Sequence, residues 1–494
     1  MKILRRVAKG IAVEISFSLI AQVSQLLTIS FAVYKLGNEG YGLWVTGFGL
    51  LSLIQIFDLP LDQYLIKENS NEKSSQYKKI ALLRFVLLGK IINATIVCTI
   101  GLLVSSWEFL ITKLGLMHNL LELKLLSLYL GVYIVFSILP AMLTIDHRYS
   151  QVSFVSNSGI VLAAIVTTVL LEFDYQIFSF IYGLFAGLFL QAAVFAFVAF
   201  KSNLFGVSGG TFLADVKIRD VIKYSIIFQS FRIVSLARLH LPINIIAYLF
   251  DPALVGRYSI NTKLSSMAPN WIAKVSLPFM PSFSNQIKNN LLEARALFTL
   301  ASKIVVRLSL VGYIIIWFSM ENFIELWIGK DLFFDDYALA LILLPTLFIC
   351  LTSVAGVIVF SVTSRATLIA VFAFELVATS LLSFLLNNAF GFFGLLVGIS
   401  APIIITQVYI FLFTIEILTL DLRGYFLEMA RYALLPTLSS LAGVWVFSFG
   451  TEGAFEIIET MFLAIVFNVT VFELMLYFKS EGDGLERLRN TFVR

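Results

Sequence analysis

The chain has 494 residues, of which 59% are hydrophobic and only 13% are charged, and its mean hydropathy is +0.93. The charged share is about half that of a typical soluble protein, so a water-soluble fold of this size would expose too much apolar surface. The formal net charge of +4 comes without a long run of Lys and Arg. A nucleic-acid-binding arm is therefore excluded, and no nucleic acid is expected as a partner.

Apolar stretches long enough to cross a bilayer follow one another along the chain. A hydrocarbon core about 30 Å thick needs roughly 20 apolar residues per helix. The first stretch is too long for a signal peptide and lacks a small-residue cleavage site, so we expect it to be retained. The sequence predicts an all-α polytopic membrane protein with fourteen transmembrane helices, at residues 10–34, 41–65, 80–106, 122–145, 151–171, 177–200, 220–249, 254–280, 299–320, 337–361, 366–387, 392–418, 429–449 and 454–478.

The distribution of positive charge orients these helices. With a cytoplasmic N-terminus, only Lys35, Lys113 and Lys330 of the 35 Lys and Arg residues fall in outside segments, whereas most of the others fall in inside segments. This bias follows the positive-inside rule, and a miscounted helix would invert it in every later loop. Both termini are therefore predicted to be cytoplasmic, in the inner membrane of a bacterium.

A weak internal repeat relates the two halves of the chain. At an offset of 214 residues, Tyr34 and Gly42 match Tyr248 and Gly256, and the turn at 36–44 matches the turn at 250–258. The offset equals six predicted spans, which implies two six-helix lobes related by a pseudo-two-fold axis along the membrane normal. The predicted domains are the N-lobe at 1–201, a cytoplasmic linker at 202–219, the C-lobe at 220–420, and two further helices with a cytoplasmic tail at 421–494.

Several basic side chains lie within the predicted spans, where a charge is costly unless it faces a cavity or a partner. Lys263, Asn270 and Lys274 recur at i, i+7 and i+11, which places them on one face of span eight. Such charges either line a cavity or pair with one another to hold helices together. Because basic side chains near mid-membrane outnumber acidic ones, a cavity lined by them would favour an anionic guest. The candidate cavity residues are Arg232, Arg238, Lys263, Lys274, Lys90, Asn270 and Gln25, and no metal site is predicted.

Three acidic residues also lie within the predicted spans. Asp58 and Asp62 lie towards the cytoplasmic end of span two, and Glu375 lies near the middle of span eleven. The two aspartates either pair with basic residues at the inner surface, such as Lys79 or Arg84, or bind a cation in the membrane.

Two groups of short motifs resemble a known family. The first is Leu36-Gly37 with Tyr41-Gly42-Leu43-Trp44, followed by Phe57-Asp58-Leu59. The second is Val255-Gly256-Arg257-Tyr258-Ser259 with Lys263-Leu264, followed by Pro278 and Pro281-Ser282-Phe283-Ser284. These motifs are similar to those of the polysaccharide repeat-unit flippases, the Wzx-type O-antigen and capsule exporters of the multidrug/oligosaccharidyl-lipid/polysaccharide (MOP) superfamily. Where a glycine is expected after the acidic residue of span two, this chain has Pro60, so its backbone is expected to differ there.

The resemblance implies a V-shaped, two-lobed bundle in which spans one, two, seven and eight line a central cavity. It also implies a flippase that moves an undecaprenyl-pyrophosphate-linked oligosaccharide, such as an O-antigen repeat unit, from the cytoplasmic to the periplasmic leaflet by alternating access. By this analogy, Asp58, Asp62 or Glu375 would bind a coupling H⁺ or Na⁺. No cofactor is expected, and the expected partners are membrane lipids and a polysaccharide polymerase.

Other functions remain open at this point. A multidrug or cation antiporter of the same superfamily would favour acidic cavity residues and usually has twelve spans. A peptidoglycan-precursor flippase would share the fourteen spans and the cationic cavity. An enzyme is not expected, because the longest outside loops, about 107–121 and 321–336, are short and the sequence contains no nucleophile–base pair or phosphate loop.

Overall fold

The computed structural model describes residues 2–69, 76–145, 149–201, 218–276, 279, 283, 286–287, 289–362 and 365–448. Every regular element among these residues is helical. The helix surfaces expose many large apolar side chains, such as Leu27 (65%), Phe197 (68%) and Val377 (65%). Helices satisfy their own backbone hydrogen bonds, so such surfaces are stable in lipid but not in water. The protein is therefore a polytopic α-helical membrane protein, as predicted.

The chain divides into two compact units, and the first comprises Lys2–Ser259. Its helices are α1 (Lys2–Ile54), α2 (Leu61–Asn69), α3 (Gln76–Ser105), α4 (Glu108–Lys113), α5 (Leu120–Phe136), α6 (Ile138–Ile145), α7 (Tyr149–Glu172), α8 (Phe178–Lys201) and α9 (Ile218–Leu249), and α10 (Pro252–Ser276) begins here. Helix α1 packs against α7, α3 against α5, and α7 against α8.

The second unit begins at Ile260, within α10. Side-chain caps start two of its helices: Asn290 accepts a hydrogen bond from the Glu293 N–H, and Asp335 accepts one from the Ala338 N–H. Two further helices, Asp336–Leu351 and Ser353–Phe360, meet at an angle of 52° across a short break. The further helices of this unit are α11 (Leu291–Trp327), α12 (Asp336–Leu351), α13 (Ser353–Val362), α14 (Arg365–Ile417) and α15 (Leu422–Ser448).

Helices α1 and α14 each contain two predicted spans. Gly37 (φ 72°) breaks α1, and Gly391 (φ 59°) breaks α14, each in a backbone region that favours glycine. Each predicted span up to 429–449 is largely helical where it is described, although 41–65, 122–145 and 337–361 each divide between two helices. The span at 454–478 lies outside the described residues. By length and apolarity, eight described helices qualify as membrane spans, or nine with the bent pair. The count of fourteen stays a prediction.

The predicted continuous span at 41–65 is wrong. Helix α1 ends at Ile54, a 3₁₀ turn covers Gln55–Phe57, and α2 begins only at Leu61. Pro60 lacks an N–H and disfavours helical geometry in the residue before it, which favours a helix break at this position. Asp58, two residues before Pro60, has extended backbone angles (φ −80°, ψ 106°). The departure expected at Pro60 is therefore a break in span two.

The two turns equated by the predicted repeat lie against each other. A Cβ atom on Gly42 would overlap the Pro252 carbonyl oxygen, and a Cβ atom on Gly256 would overlap Asn38. Adding the predicted offset of 214 converts residue 38 into 252 and residue 42 into 256. The repeat therefore maps each of these two contacts onto the other. A reciprocal contact of this kind is what a two-fold relation produces. The Asn38 side-chain amide also donates to the Ala253 carbonyl oxygen at 2.7 Å.

The predicted lobe boundaries stay a prediction, because most of the proposed linker at 202–219 lies outside the described residues. Helix α9, predicted as the first helix of the C-lobe, packs against α1 within the unit Lys2–Ser259. The contact between α1 and α9 therefore joins segments that the sequence assigns to different lobes.

Candidate functional site

The break in span two places a carboxylate inside the first unit. The Asp58 side chain is 1% exposed, and the Asp58 N–H closes the 3₁₀ turn by donating to the Gln55 carbonyl oxygen at 3.0 Å. Because the helix does not continue, the carbonyl groups of Ile56, Asp58 and Leu59 are available to partners outside it. Side chains from α3 and α9 bind these groups and the Asp58 carboxylate.

Helix α3 approaches the break with Lys90 and Asn93, which lie on one face at i and i+3. The Lys90 ammonium lies 3.3 Å from Asp58 Oδ1 and 3.0 Å from Asp62 Oδ1, and its side chain is 1% exposed. The contact between Lys90 and Asp62 is close enough for an ion pair, but its geometry is not that of a hydrogen bond. The Asn93 amide donates to Asp58 Oδ1 at 3.3 Å and to the Leu59 carbonyl oxygen at 3.1 Å. Helix α3 thus fixes both the carboxylate and the unwound backbone.

Helix α9 holds the break with Gln229 and Arg232, again at i and i+3. The Arg232 guanidinium donates to Asp58 Oδ2 at 2.5 Å, to the Asp58 carbonyl oxygen at 3.4 Å and to Gln55 Oε1 at 3.2 Å. The Gln229 amide donates to the Ile56 carbonyl oxygen. All four donor contacts therefore reach one short segment of the broken helix.

These side chains form a charge-balanced network of Asp58, Asp62, Lys90 and Arg232. Burying ions is stable only when they are paired and hydrogen-bonded, and here two carboxylates oppose two cations. Lys90 and Asp58 are fully enclosed, whereas the side chains of Asp62 (19% exposed) and Arg232 (25% exposed) form the accessible side. The network therefore has a fixed centre and an exposed guanidinium at its margin.

The network bears on two sequence-based predictions. Asp58 pairs with Lys90 and Arg232, and Asp62 pairs with Lys90. Cation binding by the two aspartates stays a prediction. Lys90 and Arg232, considered as pyrophosphate ligands, are engaged by carboxylates. The rival interpretation, in which paired charges hold helices together, therefore describes these four side chains in this structure.

Two neighbours of the network gave no sequence signal. Tyr133 of α5 lies within electrostatic reach of Asp58, Asp62 and Arg232, yet tyrosine is also common at lipid-facing positions. Gln229 is a neutral side chain whose role depends on the unwound Ile56 carbonyl group, which hydropathy does not reveal.

The other predicted residues lie elsewhere. Arg238 is half-buried on α9, two turns from Arg232, and Gln25 is half-buried on α1. On α10, Lys263 and Lys274 are half-buried, whereas Asn270 is exposed and donates to the Ser266 carbonyl oxygen at 3.4 Å. The predicted polar stripe of α10 thus lies on one helix. It belongs to the second unit.

Glu375 is 1% exposed in α14 of the second unit. Thr379 and Ser383 follow it at i+4 and i+8 and are equally buried, so the three form a polar face inside an apolar helix. This face belongs to a different unit from the network at Asp58. The three acidic residues predicted as ion-binding candidates therefore divide into two separate environments.

No family model and no curated protein matches the sequence. Solved structures do match the fold. The lipid II flippase MurJ in an inward closed conformation has a TM-score of 0.69 at 15% identity, covering 94% of this chain and 99% of that chain. An inward-facing multidrug resistance MATE family transporter of the MOP superfamily has a TM-score of 0.63 at 11% identity, covering 83% and 98%. A mutant of the Vibrio cholerae MATE transporter VcmN has a TM-score of 0.54 at 13% identity, covering 86% and 100%. The chain therefore shares the polytopic helical fold of these solved structures.

Proposed function

We propose that the protein is a flippase that moves a polyprenyl-pyrophosphate-linked oligosaccharide from the cytoplasmic to the periplasmic leaflet by alternating access. In its specific form the substrate is an undecaprenyl-pyrophosphate-linked repeat unit of O-antigen or a related polysaccharide. A polymerase that consumes this repeat unit at the outer surface would be its partner. The protein carries out no covalent chemistry in this proposal.

The observation that carries the proposal is the balance of charge within the predicted spans. Among the residues predicted to lie near mid-membrane, basic side chains outnumber acidic ones, and they still do when Asp58 and Asp62 are counted with the acidic set. A surplus of buried cations is favourable when the guest is an anion. Arginine matches phosphate oxygens with its forked donors, while lysine acts as a point charge. The basic side chains are Lys90, Arg232, Arg238, Lys263, Lys274 and Arg307, and the acidic ones are Asp58, Asp62 and Glu375.

The structural similarity extends over more of this chain for the flippase structure than for the two drug transporters. The MurJ chain, described as a lipid II flippase, covers 94% of this protein, whereas the two MATE transporters cover 83% and 86%. The chain also continues past the twelfth predicted span into α15, where a twelve-span transporter would end. These similarities show the fold alone, and the substrate class rests on the charge.

The proposal assigns separate tasks to the polar side chains. Arg238, Lys263 and Lys274 attract and hold the pyrophosphate, and Arg232 joins them when Asp58 releases it. Asn270 and Gln25 donate to sugar or phosphate oxygens. Lys90, enclosed between two carboxylates, anchors the broken helix. Asp58, Asp62 and Glu375 are the candidates for binding a coupling H⁺ or Na⁺, while the lipid tail remains in the bilayer.

Reconstitution tests this function directly. The purified protein is placed in proteoliposomes with a fluorescent polyprenyl-pyrophosphate oligosaccharide, and access of an external label to the sugar is followed with and without an ion gradient. We expect protein-dependent transbilayer movement, lost in Arg238→Gln and Lys274→Gln variants that insert at normal levels. Glu172→Gln, at a surface ion pair with Lys35, is the matched control and should be fully active.

The alternatives give different outcomes in the same vesicles. Movement of a peptidoglycan precursor, but not of other lipid-linked oligosaccharides, would assign the protein to peptidoglycan synthesis. A stationary lipid together with transport of an organic cation against a proton gradient would identify a multidrug antiporter. Near-normal flipping by both the Arg238 and the Lys274 variants would contradict the assigned site.

A further inference from the structure

Arg232 differs from the other cation of the network in its accessibility. Lys90 is 1% exposed and lies between two carboxylates, whereas Arg232 is 25% exposed and meets only Asp58 among the acidic side chains. Its three hydrogen bonds to described residues come from Nη1 and Nη2, two of its three nitrogen atoms. An incoming anion can therefore reach this guanidinium without passing through the centre of the network.

We propose that Arg232 is exchanged between Asp58 and the pyrophosphate of the substrate, and that the carboxylate released in this exchange takes up one monovalent cation, H⁺ or Na⁺, from the solvent. This inference rests on the proposed function, since it requires an anionic substrate. It links substrate binding to cation uptake at a single ion pair.

Because the network is charge-balanced, the exchange couples binding of the anionic substrate to uptake of a cation. With Arg232 bound to Asp58, the network is neutral. When Arg232 turns to a phosphate, Lys90 alone remains beside Asp58 and Asp62, and the enclosed site carries one surplus negative charge. Water cannot stabilise a charge at Asp58, which is 1% exposed, so a cation must compensate it. By reciprocity, a cation bound at Asp58 frees Arg232 and strengthens substrate binding by the same factor.

The exchange also changes a helix contact. Three of the four donor contacts from α9 to the broken segment come from Arg232, and the fourth comes from Gln229. Substrate binding would remove the three, leaving α9 attached at the Ile56 carbonyl oxygen alone. The sequence places α1 and α9 in different predicted lobes. Loss of the Arg232–Asp58 ion pair on substrate binding would therefore weaken a contact between the two predicted lobes.

The groups around Asp58 define what can titrate there. Lys90 faces it from α3, Arg232 from α9, Asp62 from α2 and Tyr133 from α5. Asp58 and Asp62 are the two acidic side chains of this set, so the compensating cation must bind at one of them. Substitution of either aspartate should therefore remove the linkage while leaving Arg232 in place.

Calorimetry on the full-length protein in lipid nanodiscs tests the exchange, with farnesyl pyrophosphate as the probe. Titrations in two buffers of different ionisation enthalpy give the protons taken up per probe bound, and NaCl is replaced by choline chloride in parallel. For the native chain we expect uptake of about one proton without Na⁺, or a Kd that falls as Na⁺ rises. Protons taken up by the probe itself are common to all variants and cancel in the comparison.

The variants separate the exchange from a structural role. Asp58→Asn should bind the probe about 5- to 150-fold more tightly, the usual range of coupling between sites, with the uptake and Na⁺ dependence lost. Asp62→Asn, which is part-exposed and easier to accommodate, should also lose the linkage because Lys90 then balances Asp58. Arg232→Gln should weaken binding, and the control Glu172→Gln should match the native chain.

Two results would overturn these ideas separately. Probe binding with unchanged cation uptake in Asp58→Asn or Asp62→Asn would refute the exchange and leave the flippase proposal intact. A native chain that binds no farnesyl pyrophosphate, but binds an organic cation, would refute the proposed substrate class and the exchange with it.

Discussion

Replacement of Lys90 by methionine removes the ammonium between Asp58 and Asp62 while keeping a side chain of similar length. Breaking a buried ion pair costs about 3–5 kcal/mol, because it leaves an uncompensated charge. Here Asp58 keeps Arg232 and Asn93, and Asp62 is 19% exposed to water. The lower end, about 3 kcal/mol, is therefore expected. For a unit of this size it corresponds to a fall in Tm of roughly 6–12 °C.

The assay is the temperature at which the detergent-solubilised protein loses its monodisperse peak in fluorescence-detected size exclusion. Adding Asp62→Asn to Lys90→Met leaves one carboxylate, Asp58, opposite one cation, Arg232, so the double variant should recover most of the lost Tm. Glu172→Gln in the same background should recover nothing. A Lys90→Met shift below about 2 °C, or a double variant no more stable than the single one, would refute the balanced-network interpretation.

A Cβ atom on Gly42 would overlap a backbone carbonyl of α10, so Gly42→Ala should lower the free energy of unfolding by about 1–3 kcal/mol. The loss is measured as a fall in Tm. The control Gly312→Ala places its methyl group in open space and should be neutral or stabilising. Arg232→Lys keeps the charge but not the forked donors, so flipping in proteoliposomes should fall between the native rate and that of Arg232→Gln; a native rate would contradict bidentate recognition. Glu428→Gln breaks a partly exposed pair with Lys303 and should change unfolding by less than about 1 kcal/mol, and a larger loss would show that exposure is a poor guide here.

The membrane architecture could be predicted from the sequence because lipid imposes a strong rule. Each span must be long, apolar and helical, and the loop charges fix its direction. The same rule made Lys90, Arg232 and Asp58 conspicuous, since charges are rare in such helices. The repeat offset of 214 residues also predicted which turns correspond, and the reciprocal contacts at Gly42 and Gly256 agree with it.

The pairing of the charged residues could not be predicted, because hydropathy gives the depth of a residue but not the direction of its side chain or the neighbour of its helix. Asp58 lies 174 residues from Arg232 and 32 from Lys90, and no local pattern connects them. Pro60 indicated an altered backbone, but the consequence depends on the partners: the unwound carbonyl groups are stable because Asn93, Gln229 and Arg232 donate to them.

Pairing changes the origin of the positive surplus. The first unit's network is neutral as long as Asp58 holds Arg232, so in this arrangement it exerts little long-range attraction on an anion. In the proposed function, the attraction comes from basic side chains outside the network, such as Arg238 on α9 and Lys263 and Lys274 on α10. In the proposed exchange, Arg232 binds the anion second, and only when a cation is bound at the aspartates. Under these two proposals, an anion without a cation would bind only to the first set, and the ion gradient would control the step that loosens α9 from the broken helix.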